Sequence, residues 1–217
     1  MIIVGSARSS YNSPKKGDQS GKEISTQNFY TNSPYWLGYE PISDKLAKGL
    51  AKSMTDACNN NHIGYSQPYR MSGRMAFVKY GSIKGIKEDC AVDCSSLVNL
   101  CLYENGHNLP NFNTATEPSI LEKSGLFKKK IIKVASDITK VGTILVTPVK
   151  GHTLIVVDGE FNNSVNNVTN LKSNEEIAKE VIQGKWGNGN ARKCKLEKAG
   201  YNYEEIRKLV NKMMGKK

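Results

Sequence analysis

Asp93-Cys94-Ser95-Ser96-Leu97-Val98-Asn99-Leu100-Cys101-Leu102-Tyr103-Glu104-Asn105-Gly106 is the stretch of this 217-residue chain that decides its fold. Cys94, Leu97, Val98, Cys101 and Leu102 recur at i, i+3, i+4, i+7 and i+8, which marks one face of an α-helix over 94–104. Asp93 is the natural N-cap of that helix and Asn105-Gly106 its stop. A cysteine in the first turn meets the positive end of the helix dipole and a set of unpaired backbone N–H groups. Both favour thiolate over thiol, so a lowered Cys94 pKa is expected. The same N–H groups can hold the oxyanion of a tetrahedral intermediate. The plain alternative is a buried free cysteine, since Cys94 also lies on the apolar stripe.

A thiol nucleophile needs a base, and the chain has three histidines. His62 falls in the polar turn Asn59-Asn60-Asn61-His62, and His107 follows the helix stop in a loop. His152 instead opens an apolar strand, His152-Thr153-Leu154-Ile155-Val156-Val157, directly after Gly151. A histidine at the mouth of a sheet can reach a neighbouring helix tip. Cys94 and His152 therefore form a candidate thiol–imidazole pair of the papain-like kind.

Working outward, 38% of the residues are hydrophobic, enough for a packed core of one domain with room for a small second one. No apolar run approaches the ~18 residues that span a bilayer. Met1-Ile2-Ile3-Val4-Gly5-Ser6 lacks the basic start and the long apolar segment of a signal peptide. The five cysteines, Cys58, Cys90, Cys94, Cys101 and Cys194, are odd in number and scattered, which argues for reduced thiols rather than a disulfide framework. Cys90 and Cys94 lack the further ligands of a zinc site. The formal charge of +11 suits a polyanionic partner such as nucleic acid, an anionic membrane or a bacterial wall. Of it, +5 falls in residues 175–217.

A composition shift at 162–174, rich in Asn, Ser, Val and Thr, divides the chain. The expected layout is a mixed domain over 1–165, a linker over 166–174 and a three-helix module over 175–217. In the tail, Asn174 and Asn202 are candidate caps, with Ile177, Val181 and Ile182, then Ile206, Leu209 and Val210, at helical spacing. The larger part is expected to be α+β, with loops and short strands over 1–40, helices over 43–60, 71–80 and 94–104, and strands near 143–147 and 152–157.

Asp93-Cys94-Ser95-Ser96-Leu97-Val98, followed 58 residues after the cysteine by the His152 strand, resembles the NlpC-type and CHAP-type papain-like peptidoglycan hydrolases. Gly17-Asp18-Gln19-Ser20-Gly21-Lys22-Glu23 resembles a phage-borne branch of that group. Two positions depart from the pattern: Ser96 stands at a usual glycine, and Thr143 at a usual acid. The tail, Ile177 through Gly189 with Arg192, Leu196, Ala199-Gly200-Tyr201, Tyr203, Val210 and Asn211, resembles the wall-binding repeat of the Cpl-seven type. These resemblances imply a phage endolysin made in the host cytoplasm and acting at the cell wall. They imply Cys94 as nucleophile and His152 as base, with no metal and no cofactor. By the same analogy a muropeptide would bind Trp186, Gly187, Asn188, Arg192 and Tyr201. The expected partner is peptidoglycan, with no nucleic acid, no stable membrane insertion, and a monomer or weak oligomer.

A third catalytic residue is sought next to His152. Asp158 lies about 20 Å along the strand at ~3.3 Å per residue, too far to orient the imidazole. A tight hairpin at Asp158-Gly159 would return residues 163–167 beside His152, which makes Asn163 the candidate, with Asn166 and Asn167 as alternatives. The scissile bond favoured is a γ-D-glutamyl amide of the stem peptide. The alternatives are an N-acetylmuramoyl-L-alanine amidase of the same fold and, in a different class, a basic helix-turn-helix protein that binds nucleic acid.

Overall fold

The computed structural model describes residues 1–8, 15–31, 34–148, 151–161, 174–199 and 201–215. It divides into two compact units, Met1–Asn162 and Asn163–Lys217.

The first unit is built on a six-stranded sheet. Its strands are β1 (Ile2–Ala7), β2 (Ile24–Asn28), β3 (Trp36–Pro41), β6 (Phe127–Ile132), β7 (Ile144–Val146) and β8 (Thr153–Gly159). They run in the spatial order β2-β1-β8-β7-β3-β6, with every neighbour antiparallel. Successive side chains on a strand point to opposite faces. Tyr39, Ile144, Val146 and Ile155 accordingly pack against the helices α1 (Asp44–Cys58) and α3 (Cys94–Glu104). Trp36, Leu145, Leu154 and Val156 form a second apolar cluster with Ile2, Val4, Ile132 and Ile138. A two-stranded parallel pair, β4 (Ile63–Tyr65) and β5 (Cys90–Val92), leads directly into α3. Helix α2 (Ser72–Tyr80) and the short α4 (Glu117–Lys123) complete the unit.

Helix α1 follows its sequence pattern, with Leu46, Leu50, Met54 and Ala57 buried and the Ser43 hydroxyl accepting from the Leu46 N–H. It approaches the sheet closely because glycines lie under it. A Cβ on Gly142, whose φ is +75°, would fall 2.2 Å from the Ala47 carbonyl oxygen. Helix α3 has the expected cap. Asp93 Oδ1 accepts the Ser96 N–H at 2.7 Å, while Ser96 Oγ accepts the Asp93 N–H at 2.8 Å, closing a capping box.

Five elements of this unit have no counterpart in the sequence reading: β4, β5, α4, β6 and the one-turn 3₁₀ helix Ala135–Asp137. Strand β6 has the sequence Phe-Lys-Lys-Lys-Ile-Ile and lies at the edge of the sheet, where lysines oppose further strand addition and mask the alternating pattern. The tight Asp158-Gly159 hairpin is overturned. Both residues remain in β8 and pair with Ile3 and Ile2 of β1. With β1 on one side and β7 on the other, β8 has no turn at that point, and the register count that set Asn163 opposite His152 loses its basis. Asn163 itself, with Asn166 and Asn167, lies outside the described residues.

The second unit contains α5 (Asn174–Ile182), α6 (Gly189–Lys198) and α7 (Tyr203–Met213). Ile177, Ala178, Val181, Leu196, Ile206 and Val210 are buried together, with Trp186, Tyr201, Tyr203 and Leu209 packed around them. The Asn202 side chain caps α7 by accepting from the N–H groups of Glu204 and Glu205. Asn174, expected as a cap, is instead the first helical residue, and its amide donates to Glu205 Oε2 at 3.1 Å.

Candidate active site

Cys94 is the first residue of α3 and is 9% exposed. Its position is fixed from two sides. The capped helix tip sets its backbone, and the start of β8 meets its sulfur. Thr147 and His152 face each other at the end of the β7–β8 ladder, with the Thr147 N–H donating to the His152 carbonyl at 2.9 Å and the His152 N–H to Thr147 Oγ1 at 3.0 Å. In an antiparallel pair the next residue turns its amide the other way. The Thr153 N–H therefore points away from β7, beyond the last β1–β8 rung at Gly5 and Ile155, and reaches the Cys94 sulfur.

His152 precedes Thr153, and its ring lies on the Trp36 side of the sheet, edge-on to that indole at a centroid distance of 6.4 Å. Tyr30 stands edge-on to Trp36 at 5.7 Å and also feels the charge of Cys94. Arg8, directly after β1, donates from Nη2 to Ser25 Oγ at 2.8 Å, while its buried Nη1 has no hydrogen-bond partner among the described residues. Arg8 bears electrostatically on both His152 and Tyr30. The sulfur meets the Thr153 amide, and the imidazole belongs to the preceding residue of the chain, its ring turned to Trp36. No hydrogen bond joins them among the described residues.

The expected lowering of the Cys94 pKa is not what the surroundings dictate. Burial pushes the thiol up to about 11, and the neighbouring Asp93 carboxylate adds to the rise; the Thr153 and Ser95 N–H groups pull only partly the other way. Burial is the larger cause of the reversal, and the cap adds to it. Asp93 takes the Ser96 N–H and the Ser95 hydroxyl, so the positive end of α3 is already answered by a carboxylate. His152 shifts in the opposite direction, down to about 4, through burial and then the Arg8 charge. At neutral pH both partners rest uncharged.

Below the thiol lies a polar network. Arg70 pairs with Asp93 at 3.0 Å, and also donates to Asn111 Oδ1 at 3.2 Å and to the Phe112 carbonyl. Glu117, wholly buried, accepts the Thr153 hydroxyl on Oε1 at 2.9 Å. Arg8, Tyr30, Trp36, Arg70 and Glu117 were not found from the sequence. Only Glu117 left a local signal, an acid before Pro118 at a helix start.

In the second unit, Gly187, Asn188 and Arg192 come together: Arg192 Nε donates to the Gly187 carbonyl and Nη2 to Asn188 Oδ1, both at 2.7 Å. Those donors brace the turn. Trp186 stands edge-on to Tyr201 at 5.9 Å and donates from Nε1 to Glu180 Oε2 at 3.0 Å. Trp186 lines an open cavity of about 480 Å³ with Glu180, Lys185, Lys195 and Ala199. Of the five residues expected to bind ligand, Trp186 alone lines it, and Lys185 and Lys195 enter as additions.

Residues 6–163 match the model of the endolysin-like domain, and residues 175–214 match that of the CW_7 repeat. The chain is similar to a lysozyme of Streptococcus phage Cp-7, with 40% identity over 60 residues, which is 28% of this chain and 18% of that protein. The chain thus spans less than a fifth of the length of that curated relative. No solved structure matches it. No helix among the described residues is long and apolar enough to cross a membrane.

Proposed function

The chain belongs to the endolysin-like domain family, and we propose that it is a phage-type endolysin that cuts an amide bond in peptidoglycan through Cys94 and His152. The observation that carries this reading is the placement of the Cys94 sulfur, at a helix tip and against the amide of the residue next to His152. The α+β arrangement, with a helix-start cysteine packed on an antiparallel sheet that carries the histidine, is in keeping with a papain-like NlpC or CHAP enzyme.

The protonation states set the order of events. Burial holds the thiol up at about 11 and the imidazole down at about 4, so a standing thiolate–imidazolium pair is disfavoured. The thiol proton therefore passes to His152 as sulfur attacks the carbonyl, in the manner of a serine hydrolase. The imidazolium then protonates the leaving amine, and water activated by the same ring releases the acyl group from sulfur. These steps use side chains alone.

The C-terminal unit holds the enzyme on its insoluble substrate through its match to the CW_7 repeat. Trp186 offers an aromatic wall to a sugar ring, and Lys185 and Lys195 offer charge to a carboxylate, as a muropeptide requires. A second attachment point raises the effective concentration of the catalytic unit at the wall. The bond favoured is the γ-D-glutamyl amide. Mass spectrometry of digested sacculi tests this, because only an amidase frees intact stem peptides from the glycan. Cys94→Ala tests the class: lysis of Gram-positive walls should cease while binding to them persists.

A further inference from the structure

Glu117 has no part in the steps above, yet it is wholly buried beside them. Its Oε1 accepts the Thr153 hydroxyl at 2.9 Å, and its Oε2 has no hydrogen-bond partner among the described residues. Thr153 is also wholly buried, and its N–H is the group that meets the Cys94 sulfur. One residue thus links the carboxyl on one face of β8 to the sulfur at its flank. An acid left with an idle oxygen in the core is poorly suited to a packing role, since an unpaired buried polar atom is destabilising and an ionised one more so.

We infer that Glu117 is a positioning residue for Cys94: its carboxyl anchors the Thr153 hydroxyl and so holds the Thr153 N–H against the sulfur. This rests on Cys94 being the nucleophile. The charged and titratable groups that face Glu117 are Asp93 and Arg70 at the α3 cap, Cys94 itself, and Tyr39 on β3. Burial, with Asp93 adding to it, raises the Glu117 carboxyl well above the carboxylate range, against the pull of Thr153 and Arg70. Such a shift favours the neutral acid, which holds the Thr153 hydroxyl without a charge in the core.

The test is the rate of Cys94 alkylation by iodoacetamide in the full-length protein, read by peptide mass mapping from pH 6 to pH 10 beside wall lysis. Glu117→Gln, a near-isostere of the neutral acid, should stay within about twofold of wild type in both readouts at pH 7. Glu117→Ala and Thr153→Val should each change the Cys94 alkylation rate at least threefold and lower lysis at least tenfold, because the Thr153 N–H is no longer held against the sulfur, whereas Thr153→Ser should restore both. Alkylation rates in Glu117→Ala and Thr153→Val equal to wild type at every pH would overturn the inference, as would a tenfold loss of lysis in Glu117→Gln at pH 7. Thr153→Val decides the matter even if the alanine variant fails to fold. Retained lysis in Cys94→Ala would refute the nucleophile separately, since alkylation reports on the sulfur whether or not it is the catalyst.

Discussion

The two units assemble their functional surfaces in opposite ways. In the N-terminal unit the residues around the proposed site, Arg8, Tyr30, Trp36, Arg70, Cys94, Glu117 and His152, are spread over most of the unit and surround the start of β8. In the C-terminal unit they come from a single run between Glu180 and Tyr201 and line an open cavity or brace its turn. The first arrangement tunes chemistry, because burial moves pKa values by several units. The second suits attachment, because exposed aromatic and cationic groups meet a polymer without a desolvated interior. Breaking one should leave the other intact.

The largest separation should come from His152→Ala, which removes the proposed base and acid together. Wall lysis should fall by about 10²–10⁴, as general acid–base catalysis contributes that much, with wall binding in a pull-down unchanged. Equal losses in both assays would break the comparison.

Leu97→Ala should lower the stability of the N-terminal unit by about 2–5 kcal/mol, since Leu97 is wholly buried between α3 and the sheet. Denaturant melts followed by circular dichroism check this, and the C-terminal helices should retain their own transition.

The pH dependence sharpens the contrast further. The His152 pKa falls from the ordinary 6.5 to about 4 on folding, so the stability it supports is full above pH 6.5 and is lost as pH falls toward 4. The loss amounts to about 3 kcal/mol. Glu117 acts with the opposite sign: its raised folded pKa means stability is lost as pH rises above 4.5. Glu117→Gln should therefore melt higher than wild type at pH 8, with the difference closing near pH 4. Thermal melts across that range would show a parallel offset instead if the carboxyl were ordinary.

The smallest effect belongs to Trp186→Ala. Wall affinity should weaken by roughly 1–2 kcal/mol, near tenfold, while turnover of a soluble muropeptide stays unchanged.

How much of this was readable in the sequence follows the same division. Helix α3, its Asp93 cap and its Asn105 stop were legible because helical periodicity and caps are local signals. The tail was legible for the same reason, down to Asn202 capping α7. The pairing of His152 with the α3 tip is an inference across 58 residues; the fold brings the neighbouring Thr153 amide to Cys94 and turns the His152 ring to Trp36. What could not be read was the environment. A helix tip with a cysteine suggested a lowered pKa, yet burial and the Asp93 cap push it up to about 11. Whether a cap neutralises a dipole or a sulfur is desolvated depends on what packs over it, and no spacing in the chain encodes that. Likewise the Asp158-Gly159 dipeptide has turn chemistry, but pairing with Ile3 and Ile2 of β1 draws it into the strand.

The most direct measurement is turbidity loss of Gram-positive walls with purified Cys94→Ala, run beside wild type and beside a wall pull-down of the same samples. We expect no lysis above the protein-free blank and a bound fraction equal to wild type. Lysis by the variant at anything near the wild-type rate would place the nucleophile elsewhere and contradict the reading of α3 from which the mechanism starts.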